Sequence, residues 1–138
     1  MKHFKILIFM FILSNTSCKD ENQSNIKMEK KDLMIRMAEI EIDSVYIDEY
    51  IAILKQESEA SIRLEPGVIS IFPMFQKEQP NQIRLLEIYA NRDAYESHLK
   101  TPHFLEYKNS TLHMVKELRL IDMTAIDPES ISQVFLKI

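Results

Sequence analysis

The sequence predicts an α+β fold of the ferredoxin-like type, a split βαβ sandwich in which helices cover one antiparallel sheet. Strand patterns occupy four segments, and helical patterns lie between them. Their order is strand, helix, hairpin, helix pair and strand, which is the order of split βαβ folds. The 138 residues are 46% hydrophobic and 28% charged, which is the composition of one globular domain with its own core.

The first strand is predicted over residues 33–42, because Ala38, Ile40 and Ile42 alternate with acidic residues that face the other way. A helix is predicted next, with Glu57 among the charged residues on its exposed side. Its buried face is predicted from apolar and small residues at helical spacing: Ile47, Tyr50, Ile51, Leu54, Ser58, Ser61 and Ile62.

Gly67 is the only glycine and follows this helix directly. We expect it at a positive φ or in a tight turn, where other residues are strained. A β-hairpin is predicted over residues 68–90, with its turn at Pro80-Asn81. Pro73 predicts a kink, or an edge position for the first hairpin strand, because proline donates no ladder hydrogen bond.

The second hairpin strand carries a carboxylate on its apolar face. The period of two places Glu87 and Tyr89 on the same side as Ile83 and Leu85. A carboxylate among apolar neighbours is costly unless it is paired. We therefore expect a polar partner for Glu87.

A strand-to-helix corner follows the hairpin. Asn91 is predicted to cap a helix that presents Tyr95 and His98 on one face, and Thr101-Pro102 is predicted to start the next helix. That second helix is predicted from residues that continue at helical spacing: Phe104, Tyr107, Thr111, Val115 and Leu118.

The last strand is predicted over residues 118–124, and residues 125–138 form an extension. Two alternatives stay open for the extension. A strand from Gln133 is one, and a short amphipathic helix docked on a neighbouring surface is the other. The helix would be built on Ile131, Val134, Phe135 and Ile138.

The N-terminal residues 1–17 have the organisation of a signal peptide, with a basic start, a short apolar run and a small polar region. Cys18, the sole cysteine, follows directly and resembles the lipidated cysteine of bacterial lipoproteins. An ordinary signal peptide with a free thiol is the alternative. Residues 18–32 are polar and predict a flexible tether. We expect an exported protein anchored by lipid to the cell envelope, on the periplasmic or the surface face of the outer membrane.

The charge balance argues against a nucleic-acid partner. The net charge is −4, and removal of residues 1–17 takes away two lysines and no acid, which makes it −6. Phosphate binding depends on clustered basic residues.

Lys19-Asp20-Glu21 resembles a short signal for surface export of lipoproteins in one group of Gram-negative bacteria, with a solvated linker as the alternative.

Three motifs resemble the antibiotic biosynthesis monooxygenase domain family over residues 33–124. They are, in order, Glu65-Pro66-Gly67, Leu86-Glu87-x-Tyr89 and Ala94-Tyr95-x-x-His98-Leu99-x-Thr101-Pro102-His103-Phe104. The resemblance implies a dimeric α+β barrel, hence a homodimer, with a small cavity in each subunit. It also implies a cofactor-independent monooxygenase of a small quinol or other electron-rich aromatic, with O₂ as co-substrate. Because the family also contains isomerases and haem degraders, the domain alone does not fix the chemistry.

For such chemistry we expect His98 as the catalytic base, because imidazole titrates near neutral pH, with Glu87 orienting it or accepting a proton. The structural alternatives are a His98–Glu87 pair that holds helix to sheet, and a His103 that bonds local backbone. The residues expected to contact substrate are Tyr89, Tyr95, His103 and Phe104.

No metal and no other cofactor is expected. His98 and His103 lie five residues apart across Pro102, a spacing that argues against convergence on one ion. Haem-degrading relatives have a tryptophan where Tyr89 stands and a haem-ligating histidine where Lys108 aligns, which argues against haem degradation. The alternative function is a non-catalytic, lipid-anchored dimeric module that binds a small hydrophobic ligand or a partner protein.

Overall fold

The computed structural model describes residues 32–134. The predicted signal peptide, Cys18, nearly all of the predicted tether and residues 135–138 lie outside these described residues. No helix within residues 32–134 is long and apolar enough to cross a membrane.

The described chain folds as one antiparallel sheet with helices on one face, so the predicted α+β ferredoxin-like class is confirmed. The elements are β1 (Met34–Ile42), α1 (Ile47–Leu64), β2 (Val68–Gln76), β3 (Gln79–Tyr89), α2 (Arg92–His98), α3 (Pro102–Thr111), β4 (Val115–Met123) and α4 (Ile131–Val134). Short 3₁₀ turns precede α1, β4 and α4.

The strand order is β2-β3-β1-β4, and all neighbours are antiparallel. In register, Ala38 of β1 lies opposite Leu85 of β3 on one side and Leu120 of β4 on the other. The predicted alternation in β1 is confirmed, since Ala38, Ile40 and Ile42 are buried under the helices. These strand residues and Tyr50 and Leu54 of α1 belong to one hydrophobic core.

The prediction that Glu57 lies on the exposed side of α1 is wrong. Glu57 is only 5% exposed, and Ile62, predicted to be buried, is exposed. The helix packs against both β2 and α3, so its buried stripe is wide enough to include Glu57. A carboxylate is thereby placed inside the molecule.

The hairpin is confirmed, but its turn is not at Pro80-Asn81. Gln76 pairs with Gln79, so Lys77 and Glu78 form the turn and Pro80 lies within β3. The predicted edge position of Pro73 is confirmed, because β2 is an outer strand of the sheet.

The caps at the corner are confirmed. The Asn91 side chain accepts a hydrogen bond from Ala94 N at 2.9 Å, and Thr101 Oγ1 accepts one from Phe104 N at 3.4 Å, with Pro102 opening α3. The helical spacing predicted to continue to Leu118 stops earlier. The helix ends at Thr111, and β4 begins at Val115.

Gly67 does not have a positive φ, but the predicted tight turn is confirmed, because Val68 N donates to Glu65 O at 3.0 Å and closes a turn around Pro66 and Gly67. A Cβ atom at this position would lie 2.5 Å from the Cβ of Ala94 in α2. The Gly67 carbonyl also accepts a hydrogen bond from Ala90 N at 2.9 Å. The glycine therefore permits close approach of the α1–β2 connection to α2.

We expect Gly67→Ala to lower the free energy of unfolding by about 1–3 kcal/mol, because the new methyl group overpacks this contact. Ala94→Gly removes the methyl group that it meets. The double variant should therefore regain part of the loss, as measured by urea denaturation of all three variants. A loss in Gly67→Ala that Ala94→Gly leaves unchanged would contradict the proposed clash.

Candidate functional site

A cavity of about 450 Å³ lies between the sheet and the helices. Most of its wall is apolar, with contributions from Ala38, Ile40, Ile71, Leu85, Leu99, Leu112, Val115, Leu118 and Leu120. A cavity of this kind, with a few convergent polar groups, is typical of small-molecule sites.

Five of the six residues predicted for the site line this cavity: Glu87, Tyr89, Tyr95, His98 and Phe104. The sixth, His103, does not line it. It lies behind His98, with ring centroids 6.4 Å apart. The structure also brings Glu57 and Lys108 to the cavity wall.

His98 is 3% exposed and is held by Glu65 rather than by Glu87. Its Nδ1 atom lies 3.0 Å from Glu65 Oε1, and His103 Nε2 lies 2.6 Å from the same oxygen. The two histidines thus converge on one carboxylate. The prediction that their five-residue spacing keeps them from converging is wrong. Pro102 restarts the chain as α3, so the spacing along one helix does not apply across it.

Glu65 occupies this place because it ends α1. Its backbone N–H bonds to Ser61 O at 3.0 Å, and Pro66 and Gly67 then turn the chain toward the sheet. Burial raises the pKa of this carboxyl, but the hydrogen bonds from His98 and His103 outweigh that effect and hold the pKa below its ordinary value. Glu65 is therefore ionised at neutral pH.

The ionised Glu65 fixes which ring nitrogens carry protons. A carboxylate only accepts hydrogen bonds, so His98 Nδ1 and His103 Nε2 both donate to it. In a neutral His98 the second nitrogen, Nε2, is then unprotonated. This Nε2 atom is 3.8 Å from Glu57 Oε1, beyond hydrogen-bonding distance, and is available as a proton acceptor.

Two carboxyls lie in the cavity wall, the buried Glu57 and the partly buried Glu87. Glu57 Oε1 accepts a hydrogen bond from Ser61 Oγ at 2.7 Å, and Glu87 Oε2 accepts one from the Tyr89 hydroxyl at 3.2 Å. Burial raises the pKa of both carboxyls, more than these hydrogen bonds and nearby His98 lower it. The partner expected for Glu87 is thus the tyrosine two residues away.

Arg36 and Tyr95 form the polar wall at another side of the cavity. Arg36 donates through Nε and Nη2 to Asp122 Oδ1, at 2.9 and 2.6 Å, and through Nη1 to the Tyr95 hydroxyl at 2.6 Å. Its guanidinium also lies 4.5 Å from the centre of the Tyr95 ring. The charge of Arg36 is thereby neutralised by Asp122.

One cluster has residue types that can bind a metal ion. The ligand atoms of Glu65, His98 and His103 lie within 4.8 Å of one another. Zinc bonds of about 2.0–2.1 Å in a tetrahedral site keep ligand atoms about 3.3 Å apart. The 2.6 Å and 3.0 Å contacts to one oxygen are instead ordinary hydrogen-bond distances. An ion would require His103 to move away from Glu65.

The sequence prediction missed Glu57 and Glu65. A signal for Glu57 exists, since it shares helical spacing with Tyr50, Leu54 and Ser61, all of which are buried. The signal for Glu65 is weaker. It lies in the Glu-Pro-Gly turn, and its pairing with His98 spans 33 residues, which no local pattern reveals.

The chain is similar to known proteins in sequence and in fold. The protein-family model described as antibiotic biosynthesis monooxygenase matches residues 33–110. A solved structure from Bacteroides thetaiotaomicron, named as a candidate antibiotic biosynthesis monooxygenase, is 48% identical with a TM-score of 0.72, over 72% of this chain and 95% of that one. No curated protein matches the chain.

Two more distant structures share the fold. A candidate monooxygenase from Lactobacillus acidophilus is 29% identical with a TM-score of 0.67, over 68% of this chain and 45% of that one. A candidate antibiotic biosynthesis monooxygenase from Nitrosomonas europaea is 18% identical with a TM-score of 0.67, over 71% of this chain and 94% of that one. At that lower identity the likeness concerns the fold alone.

Proposed function

The chain belongs to the antibiotic biosynthesis monooxygenase family, and on that premise we propose that it oxygenates a small quinol or other electron-rich aromatic without metal or flavin. The observation that carries the proposal is the placement of His98. Its side chain lies in the wall of an apolar cavity, with Nδ1 bonded to the ionised Glu65 and Nε2 available to accept a proton.

The chemistry needs a substrate that is itself the reductant. His98 Nε2 takes the proton of an aromatic hydroxyl, and the resulting anion passes an electron to O₂. The two radicals combine at a ring carbon that carries hydrogen, and the peroxide takes the proton back from His98. As the O–O bond then breaks, this carbon becomes a carbonyl and loses its hydrogen as a proton, which joins the departing hydroxide to form water. One oxygen atom enters the product and the other leaves as water, so a quinol gives a hydroxyquinone and supplies all four electrons.

Glu65 acts here as a positioning residue. Its carboxylate fixes the His98 tautomer and compensates the positive charge of the imidazolium that forms when His98 accepts the proton. An apolar cavity strengthens this compensation, because charges interact more strongly away from water. The 33-residue separation means that α1 and α2 must both be in place for the base to work.

Glu57 and Glu87, the carboxyls in the cavity wall, suit a second role. A carboxyl whose pKa is raised retains its proton to higher pH, and in that form it donates a hydrogen bond. Glu57 or Glu87 in that form can bind the oxygen atom on which negative charge develops. Tyr89 and Phe104 add aromatic surface for the ring of the substrate.

A binding module without chemistry would use the same apolar wall. The arrangement of His98 and Glu87 favours an enzyme, because both side chains line an open cavity and are not sealed from it by Tyr107 or Phe104. A pure binding pocket has no need of a buried base with its own carboxylate, since burying polar groups is costly.

The test is oxygen uptake by the full chain, with Cys18 replaced by serine so that it is purified without lipid. The substrates are benzo-, naphtho- and anthra-hydroquinones, with and without EDTA. We expect uptake above the autoxidation rate for at least one of them, unchanged by EDTA. Uptake that EDTA removes would contradict a metal-free reaction, and binding without uptake across the panel would favour the module.

We also propose that the chain forms a homodimer through the sheet face opposite the helices. One row of apolar residues crosses all four strands on that face, because Phe72 lies opposite Leu86, Leu86 opposite Met37, and Met37 opposite Ile121. Phe72 is 58% exposed in the single chain. An uncovered apolar surface of this kind is typical of an interface.

We expect Phe72→Asp to shift the protein toward monomer, because dimer formation would bury the new charge without a partner. Sedimentation velocity over a concentration series measures the shift. The control is Val45→Asp, since Val45 is also exposed but lies in the turn before α1. A wild-type protein that stays monomeric at every concentration, or equal dimerisation of both variants, would argue against this interface.

We propose further that Cys18 anchors the exported protein to the membrane by lipid. The support is the sequence pattern of residues 1–18, with the sole cysteine directly after the small polar region. Cells fed a labelled fatty acid should incorporate label into the wild-type protein and none into Cys18→Ser. Equal labelling, or none in either, would leave the ordinary signal peptide as the better interpretation.

A further inference from the structure

One positive charge in the cavity wall has no ionic partner. Lys108 lines the cavity from α3, and it makes no salt bridge in the part of the chain that the structure describes. The residues one helical turn away from it are Phe104, Leu105, Thr111 and Leu112, and none of them is acidic. The charge of Lys108 is therefore not neutralised by its own helix.

The other charged groups of this wall are engaged, apart from the proposed base. Arg36 donates its side-chain hydrogen bonds to Asp122 and Tyr95. Glu57 and Glu87 each accept a hydrogen bond, and burial raises their pKa, which favours the neutral form. The unpaired lysine is thus the group in the wall that can bind an anion without first losing a partner.

Lys108 lies where the cavity opens to water. It is exposed, and Leu112, four residues further along, is 70% exposed, although both residues line the cavity. A lysine can pack its aliphatic chain along an apolar wall while its ammonium group stays hydrated. An anionic group bound here also keeps contact with water, so it avoids most of the cost of burying a charge.

The lysine lies about one aromatic skeleton away from the proposed base. The ring centre of Phe104 is 4.7 Å from that of His98, and Lys108 follows Phe104 by four residues, which is about 6 Å along the helix axis. An aromatic ring that packs on Phe104 with a hydroxyl at His98 therefore has its far side toward Lys108. A substituent on that far side is within reach of the flexible lysine side chain.

We propose that the cavity takes an aromatic carboxylate of one or two rings, with the rings against the apolar wall and the carboxylate bound by Lys108 at the opening. The position of the hydroxyl at His98 rests on the proposed function, whereas the preference for an acid concerns binding alone. The whole chain has a net charge of −4 and so does not attract anions by itself. The preference for an acid is therefore a property of this one lysine.

Binding of matched ligands without turnover tests the assignment. The protein is the full chain with Cys18→Ser, under nitrogen at neutral pH. One ligand pair is a naphthol with a carboxylate on its other ring and the same naphthol without it. The second pair is para-hydroxybenzoate and phenol. Titration calorimetry gives Kd for each ligand, and the readout is the Kd of the neutral ligand divided by the Kd of the acid.

We expect this ratio to fall about fivefold in Lys108→Gln for at least one pair, the usual upper limit for an ion pair in contact with water. It should fall further in Lys108→Glu and return in Lys108→Arg, which keeps the positive charge. Lys77→Gln is the matched control. Lys77 is exposed in the hairpin turn and does not line the cavity, so its replacement removes the same charge elsewhere.

The proposal is overturned by an unchanged ratio in Lys108→Gln, by an equal fall in Lys77→Gln, or by the absence of binding for all four ligands. Affinity lost equally for the acid and the neutral ligand counts as an unchanged ratio. Oxygen uptake does not enter the readout, so the proposed function can fail separately. An acid preference without uptake on any hydroquinone would support Lys108 as the carboxylate site of a binding module.

Discussion

Replacing His98 by alanine is expected to lower kcat for oxygen uptake by about 10²–10⁴-fold, the usual contribution of a general base. The reason is positional. The variant keeps the apolar cavity but lacks the imidazole that Glu65 holds in the cavity wall. It therefore has no unprotonated nitrogen to accept the proton of the substrate. It also leaves Glu65 with one fewer donor, which costs about 1–3 kcal/mol of stability.

His98→Gln separates the two effects. The glutamine amide can still donate to Glu65, so we expect most of the stability to return while kcat stays low, because an amide is no base. The measurements are oxygen uptake well below the melting temperature and urea denaturation of each variant. His113→Ala is the control, since His113 is exposed and contacts the edge of the Tyr46 ring. Wild-type kcat in His98→Gln would show that His98 is structural only.

Glu65→Gln is expected to have the second largest effect. Both imidazole N–H groups donate to one atom, Glu65 Oε1, and the neutral oxygen of an amide accepts these two hydrogen bonds more weakly than a carboxylate does, because hydrogen bonds to an ionised acceptor are the stronger ones. We expect a loss of about 1–3 kcal/mol in the free energy of unfolding. We also expect at least a tenfold fall in kcat, equivalent to about 1.4 kcal/mol of lost compensation of the His98 imidazolium.

The stability difference between wild type and Glu65→Gln should depend on pH. The folded protein holds the pKa of Glu65 below its ordinary value of 4.5. Its carboxylate therefore contributes stability that is fully present above pH 4.5 and is lost as the pH falls through the folded value. The two proteins should differ most at neutral pH and converge in acid.

Glu59→Gln is the matched control. Glu59 lies on the exposed side of the same helix and pairs with Lys55 at 3.8 Å, and surface pairs of this kind contribute about 0–1 kcal/mol. Its stability and kcat should stay close to the wild-type values at every pH. If Glu65→Gln behaves like this control, Glu65 neither supports the fold nor positions His98.

The fold could be predicted from the sequence because its signals are local. The alternation of apolar and polar residues predicted β1. The capping residues Asn91 and Thr101 predicted the starts of α2 and α3, and Pro73 predicted an edge strand. Each of these depends on residues within a few positions of one another. The order of the elements then left few topologies to consider.

The candidate site was harder to predict because its pairs are distant in sequence. Glu65 and His98 meet only when the end of α1 lies against α2 and α3, and Glu57 turns inward only because α1 packs on two neighbours. A period of 3.6 residues places a side chain on a helix face, but it does not say how wide the buried stripe is. The turn at Gly67 was predicted, but its close contact with Ala94 was not, since Ala94 comes from another element.

The most direct test of the central claim is oxygenation under ¹⁸O₂ with the best hydroquinone of the panel, in the presence of EDTA. The mechanism predicts one labelled oxygen atom in the product and the other in water, with no hydrogen peroxide released. Product without label, accompanied by one hydrogen peroxide per quinone, would show simple two-electron oxidation and would contradict a monooxygenase.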